Sequence, residues 1–192
     1  MGLTAKKIGR KLTFGDYRSW TEEGRWEIIN GEAYAMTPAP SLKHQEVVSN
    51  FHIRLKTDPQ NRCYTAISPT DVVIDDFNVV QPDVFVVCDQ SKLKETHVQG
   101  APDLIVEVLS KATQLKDKRE KKTLYERYGV REYLLVYPED EMVERYHLVN
   151  GQYLSADVFN WDETLKLVAL PDITINLWEI FARQRPQENE AI

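Results

Sequence analysis

The sequence predicts an α/β domain in which a mixed β-sheet is held between helices. Three observations carry this. Residues 104 to 109 read Leu-Ile-Val-Glu-Val-Leu, a β-branched apolar run too short for a helix and apolar on both faces, which marks a central strand. Thr113 to Tyr128 is patterned as a helix, with Leu124, Tyr125 and Tyr128 as its apolar stripe and Gly129 placed to end it. The order of elements along the chain, helix, several strands, helix, strand, then suggests an α/β layering.

Two residues in this segment are out of place. Glu107 lies in the middle of the apolar strand, where an ionised carboxylate costs several kcal/mol unless a cation or strong donors compensate it. Stepping back along the helical stripe by threes and fours reaches Lys121 and then Asp117, so both charges point toward the buried face. The pair reads either as a buried Glu–Lys bridge joining strand to helix or as a reaction site. Buried bridges seldom repay their desolvation, which favours the site.

In chain order, residues 1 to 12 are expected to form a flexible basic leader, residues 13 to 182 one domain and residues 183 to 192 a disordered tail. Thr13 caps a short helix over 14 to 20 that groups Phe14, Tyr17 and Trp20. Extended runs at 26 to 29 and 32 to 36 flank Asn30-Gly31, which predicts an N-terminal hairpin. Pro38 and Pro40 break the chain, and Ser41 caps a helix whose inner stripe is Val47, Val48, Phe51 and Leu55. His44 shares that stripe, as a core residue or a catalyst.

Strands are expected at 63 to 67, 71 to 74 and 84 to 87, the last entered through Pro82-Asp83, and a loop over 89 to 100. Residues 132 to 137 form a strand stopped by Pro138. Residues 142 to 149 and 152 to 154 form a second hairpin around Asn150-Gly151. A strand near 165 to 170 and a short helix with Leu177, Ile180 and Phe181 close the domain.

At 192 residues, 42% hydrophobic and 28% charged, the composition is that of a globular protein with a full core. No apolar run approaches the roughly 18 residues of a membrane span, and Lys6, Lys7, Arg10 and Lys11 interrupt any secretory pattern, so a cytoplasmic location is expected. Cys63 and Cys88 lack zinc-site spacing and are expected as reduced thiols without a disulfide. A net charge of −6 excludes indiscriminate coating of nucleic acid. Basic residues nevertheless crowd the segment from Lys111 to Arg131, either as a solvated face or as a phosphate-contacting surface.

Asp103 precedes Glu107 by four positions on one strand, so their α-carbons lie roughly 13 Å apart, too far to share an ion. Asp83 converges with Glu107 if their strands are neighbours. Those carboxylates, the Val108 carbonyl and water make a hard oxygen site suited to Mg²⁺ or Mn²⁺. No Walker loop, dinucleotide fingerprint or nucleophile elbow occurs.

Pro82-Asp83, Glu107 with Val108-Leu109-Ser110, Asp117 with Lys121 and Tyr125, then Gly129-Val130 and Glu132-Tyr133, resemble the PD-(D/E)XK nuclease superfamily. Within it they are similar to the Uma-type family of restriction endonuclease-like proteins. The likeness runs from about Trp26 to Tyr153 and includes Asn30-Gly31-Glu32 and His44. It implies a restriction endonuclease-like α/β/α sandwich on a mixed sheet. It also implies a metal-dependent endonuclease acting on DNA, with Asp83 and Glu107 as metal ligands, to which the oxygen-site reading adds the Val108 carbonyl. Where the superfamily motif has Lys two positions after the acid, this chain has Leu109, and the resemblance moves the amine to Lys121.

On this reading Lys121 orients the attacking water or stabilises the developing anion, and Asp117 positions Lys121 or a further hydrated ion. Glu32 and His44 join the catalytic set by resemblance alone. Tyr125 is expected to pack, and a homodimer would suit double-strand cutting. The rival from another class is a catalytically silent module of the same fold that binds nucleic acid or a protein partner.

Overall fold

The computed structural model describes residues 5–6, 10–21, 24–36, 40–110 and 114–187. Pro38, Lys111, Thr113 and most of the expected leader and tail lie outside the described residues. In chain order the elements are β1 (Ala5–Lys6), α1 (Phe14–Arg18), β2 (Trp26–Ile29), β3 (Glu32–Ala35), α2 (Leu42–Thr57), β4 (Tyr64–Ile67) and β5 (Val72–Asp75). Then come β6 (Asn78–Val80), β7 (Val84–Val87), β8 (Val98–Gln99), β9 (Leu104–Val108), α3 (Gln114–Lys116), a π turn over Asp117–Lys121, and α4 (Lys122–Arg127). The chain ends with β10 (Glu132–Tyr137), β11 (Met142–Val149), β12 (Gln152–Tyr153), β13 (Asp157–Asn160), β14 (Thr164–Lys166), β15 (Thr174–Asn176) and α5 (Leu177–Ile180).

The central sheet runs β12-β11-β10-β9-β7-β4, with β13 added on β11. It is mixed: β9 and β10 are parallel, whereas β9 pairs with β7 antiparallel. Side chains of a strand alternate between faces, and here each face has its own core. Val84, Val86, Leu104, Val106 and Leu134 meet Val47, Val48, Phe51 and Leu55 of α2. Phe85, Ile105, Tyr133 and Leu135 meet Leu124 and Tyr125 of α4, with Ile29, Val72 and Val80 of a second sheet. That sheet, β1-β3-β2-β6-β5-β8, carries the N-terminal hairpin, whose Asn30 and Gly31 both take positive φ as a two-residue turn requires.

The main elements stand where the sequence puts them, with informative differences. Thr13 and Ser41 cap α1 and α2 as expected. β6, β8 and β13 are additions, each two to four residues long and too short to show a period. Ahead of residue 13, Ala5–Lys6 pairs with β3 and Leu12 is buried, its N–H bonded to the Gly31 carbonyl. Arg183, assigned by sequence to the tail, is tied by two hydrogen bonds to Glu141.

The expectation of reduced cysteines is overturned: Cys63 and Cys88 form a disulfide. Tyr64 pairs with Val87 across β4 and β7, so the preceding and following residues, Cys63 and Cys88, fall opposite each other. A separation of 25 residues carries no hint of that register. Among the described residues no helix is long and apolar enough to cross a membrane.

Candidate active site

Asp83 and Glu107 are brought together by strand register. Val84 pairs with Val106 and Phe85 with Ile105, and one further step places Asp83 opposite Glu107. Both belong to the face turned toward α3 and α4, since they alternate with Val84 and Val106 of the α2 face. Asp83 Oδ2 accepts the Val108 N–H at 2.8 Å, which holds its carboxylate against the neighbouring strand. Pro82 at the entrance of β7 lacks the N–H that a ladder would need, so the strand opens here.

The helical segment answers with two amines rather than the expected one. Lys121 Nζ lies 2.8 Å from Glu107 Oε1, 2.8 Å from Glu27 Oε1 and 3.7 Å from Asp117 Oδ1. Lys116 Nζ binds the other oxygen of Glu27, Oε2. The π turn makes this convergence: its i to i+5 spacing brings Lys116 onto the face of Lys121, while Asp117 stays there at i to i+4. Tyr125 is buried as expected, yet its hydroxyl also donates to Glu107 Oε1 at 2.9 Å. Tyr133 donates to the Asp117 carbonyl at 3.1 Å and fixes the turn.

Glu27 is the residue that sequence reasoning missed. It is fully buried on β2, accepts the Gln81 N–H at 3.0 Å and binds both lysines. A signal existed: Glu27 interrupts the extended apolar run Trp26-Glu27-Ile28-Ile29 just as Glu107 interrupts its own strand. Glu32, expected in the catalytic set, is not brought to this cluster. It lies on β3 nearer the turn, is exposed, and accepts a hydrogen bond from Tyr34 at 3.3 Å. Glu27 faces Tyr34 in the pairing, whereas Glu32 pairs with Ile29 at the hairpin end. His44 does reach the cluster, with Nε2 3.4 Å from Asp83 Oδ2.

A cavity of about 140 Å³ is lined by His44, Asp83, Glu107, Val108, Asp117 and Lys121, with Lys116, Gln81 and Arg25 at its wall. The electrostatics are those of crowded acids. Burial pushes the Glu107 carboxyl up, and the charges of Asp117, Asp83 and Glu27 add to this against the pull of Lys121. Burial also opposes the charge of Glu27, but Lys121 and Lys116 outweigh it and hold that carboxyl below the usual range. Burial alone would strip Lys121 of its proton, yet Glu107, Glu27 and Asp117 raise its pKa well above the ordinary value, so it stays an ammonium. For His44, burial is outweighed by Asp83, the Val108 backbone and Asp117, and the imidazole pKa is raised.

Four carboxyl groups thus face two ammonium groups and one imidazole, and the raised Glu107 carboxyl reflects the crowding of these acids as well as its burial. Two adjacent carboxylates beside the Val108 backbone are the donor set of a hard, oxygen-seeking cation. Among the described residues no three His, Cys, Asp or Glu side chains converge closely enough to hold a metal. A cation here would therefore draw on Asp83, Glu107, the Val108 carbonyl and water.

An uncharacterized protein of Synechocystis sp., slr1290, is 32% identical over 146 residues, spanning 71% of this chain and 74% of that protein. A crystal structure of a putative nuclease from Anabaena variabilis superposes with a TM-score of 0.72 at 18% identity, covering 89% of this chain and 98% of that one. The arrangement of the mixed sheet between α2 and α3–α4 is accordingly the restriction endonuclease-like fold. The family model described as Uma2, "Putative restriction endonuclease", matches residues 14–177, and the chain belongs to that family.

Proposed function

We propose that this protein is a metal-dependent endonuclease that hydrolyses phosphodiester bonds in DNA. The observation that carries the reading is the placement of Asp83 opposite Glu107 in one cavity with Lys121. Family membership and the nuclease-fold neighbour support the reaction class.

Asp83, Glu107 and the Val108 carbonyl would hold Mg²⁺ or Mn²⁺. When bound, the cation supplies Lewis acidity and offsets negative charge on the phosphoryl oxygens. Lys121 keeps its proton, so it acts as a charged donor toward the attacking water or a phosphoryl oxygen, not as a base. Asp117, 3.7 Å from the amine, and Glu27 aim it. Tyr125 fixes the Glu107 carboxylate by its 2.9 Å hydrogen bond. His44 beside Asp83 holds that carboxylate in place and meets the substrate at the cavity wall. Exposed Lys118, Arg119 and Arg127 on the helical segment supply contacts to the DNA backbone.

One observation favours a second reading, the silent binding module: the Lys121 amine is already engaged at 2.8 Å by each of two carboxylates. Incubating purified protein with supercoiled plasmid and Mn²⁺ or Mg²⁺ decides between them. Nicking that is lost in Glu107→Ala and in Asp83→Asn supports the nuclease. Equal cutting by wild type and Glu107→Ala marks a contaminant, and no cutting by a folded wild type leaves the module.

A further inference from the structure

A second cavity, of about 370 Å³, lies on the N-terminal layer between α1, β2 and the loop before β8. Its size is that of a small-molecule site. Trp20 and Trp26, both in the lining, stack on each other with centroids 5.2 Å apart and planes within 17°. Phe14 and His97 form another wall, 5.1 Å apart, and the exposed Arg18 guanidinium sits 5.9 Å from the Phe14 centroid at the rim. At its polar end, Asp71 Oδ1 accepts from the Tyr17 hydroxyl at 2.9 Å and from Gln81 Nε2 at 2.8 Å.

Gln81 connects this cavity to the acidic one. Its amide nitrogen faces Tyr17 and Asp71, its amide oxygen accepts from Arg25 Nε at 2.9 Å, and its backbone N–H bonds Glu27. Gln81 and Arg25 both line the acidic cavity, and Gln81 hydrogen-bonds Tyr17 and Asp71 of the aromatic one, so one side chain links the two linings. We propose that the aromatic cavity receives a nucleobase bearing an exocyclic amino group, from the strand whose backbone enters the Asp83–Glu107 cavity.

The chemistry selects this occupant. Aromatic faces bind bases by stacking. The Asp71 carboxylate accepts an amino N–H, which adenine, cytosine and guanine carry and thymine lacks. Aromatic rings around a carboxylate also suit an organic ammonium ion, but Arg18 at the rim repels a cation and attracts the phosphate attached to a base. The assignment to the same strand rests on the nuclease reading; occupancy by a base does not.

Tryptophan fluorescence, read in EDTA so that no cleavage intervenes, tests it. The probes are single strands of about eight nucleotides made of dA, dC or dT. The expected result is quenching by all three, with dA and dC binding roughly tenfold tighter than dT. Asp71→Leu, which has no acceptor, should erase that preference, and Trp20→Ala or Arg18→Glu should weaken binding about tenfold while thermal melting shows folded protein. Equal affinity for dA and dT strands, or an unchanged affinity in folded Trp20→Ala and Arg18→Glu, overturns the proposal. So does tighter binding of choline than of any strand, or dAMP binding as tightly as the dA strand. Strand binding without plasmid nicking would remove the nuclease reading alone, and nicking with unaltered binding in the variants would remove the base site alone.

Discussion

Glu27 and Lys121 meet 2.8 Å apart across the boundary between the N-terminal hairpin and the helix that covers the central sheet. Neither is more than marginally exposed, and Lys116 binds the same carboxylate from one π turn earlier. The hairpin is thereby a part of the acidic site and not an appendage to it. Removing one partner of such a buried pair strands the other charge, at a cost of about 3–5 kcal/mol. Glu27→Ala should lose stability of that order in urea denaturation. Adding Lys116→Met to it should recover part of the loss, and a purely additive double mutant would contradict the coupling.

Asp83→Asn removes one of two carboxylates that face each other across β7 and β9. Its melting temperature without metal should equal or exceed that of the wild type, because the repulsion between them is relieved. Saturating Mn²⁺ should stabilise the wild type by about 2.7 kcal/mol at a hundredfold excess over Kd, and the variant much less. Thermal melts with and without Mn²⁺ check both; equal stabilisation of the two proteins would rule out Asp83 as a ligand.

Tyr125→Phe deletes the hydroxyl that donates to Glu107. A hydrogen bond to a charged group contributes roughly 1.5–3 kcal/mol. The variant should lose stability in that range, and its nicking rate should fall as the Glu107 carboxylate is freed to turn. A rate equal to that of the wild type would confine Tyr125 to packing.

Glu32→Gln and Glu27→Gln separate the two acids of the hairpin. Glu32 is exposed and outside the acidic cavity, so its substitution should change stability by less than about 0.5 kcal/mol and leave nicking within about twofold. Glu27→Gln, which takes from Lys116 its acidic partner and leaves Lys121 with Glu107 and Asp117, should impair both. Parallel plasmid assays and melts give the comparison, and the reverse ranking would restore Glu32 to the site.

Glu132 sets a pH dependence away from the site. Its Oε2 accepts the N–H groups of Val168 and Ala169, each at 2.8 Å, while Oε1 has no hydrogen-bond partner among the described residues. Burial pushes this carboxyl up to about 7, against those two donors, from an ordinary value of 4.5. Between these pH values the folded chain holds a proton that the unfolded chain has released, so stability falls as pH rises through the interval and levels off above it. The fall from this group is roughly 3 kcal/mol at most. Urea denaturation at pH 5 and pH 8 should show it in the wild type and not in Glu132→Gln; identical slopes would refute it.

Reading the chain alone went furthest where one residue contradicts its neighbours. Glu107 among β-branched residues and Lys121 on an apolar stripe announce a site, because a buried charge is costly in any fold. Glu27 carries the same mark but stands beside two tryptophans and a turn, where a half-exposed hairpin is the simpler expectation. Lys116 carries no mark, since in a regular helix it lies off the buried stripe, and only the π turn rotates it inward.

By itself, then, the amino-acid order determined the α/β layering, the caps at Thr13 and Ser41, both Asn-Gly hairpins, and which strand and helix hold the anomalous charges. These are local matters, decided by period, turn chemistry and capping within a few residues. Tertiary structure decided what depends on register between distant strands: Asp83 opposite Glu107 and Cys63 bonded to Cys88. Strand pairing is fixed by the packing of whole faces, and a shift of one residue would send each of these side chains to the other side of its sheet.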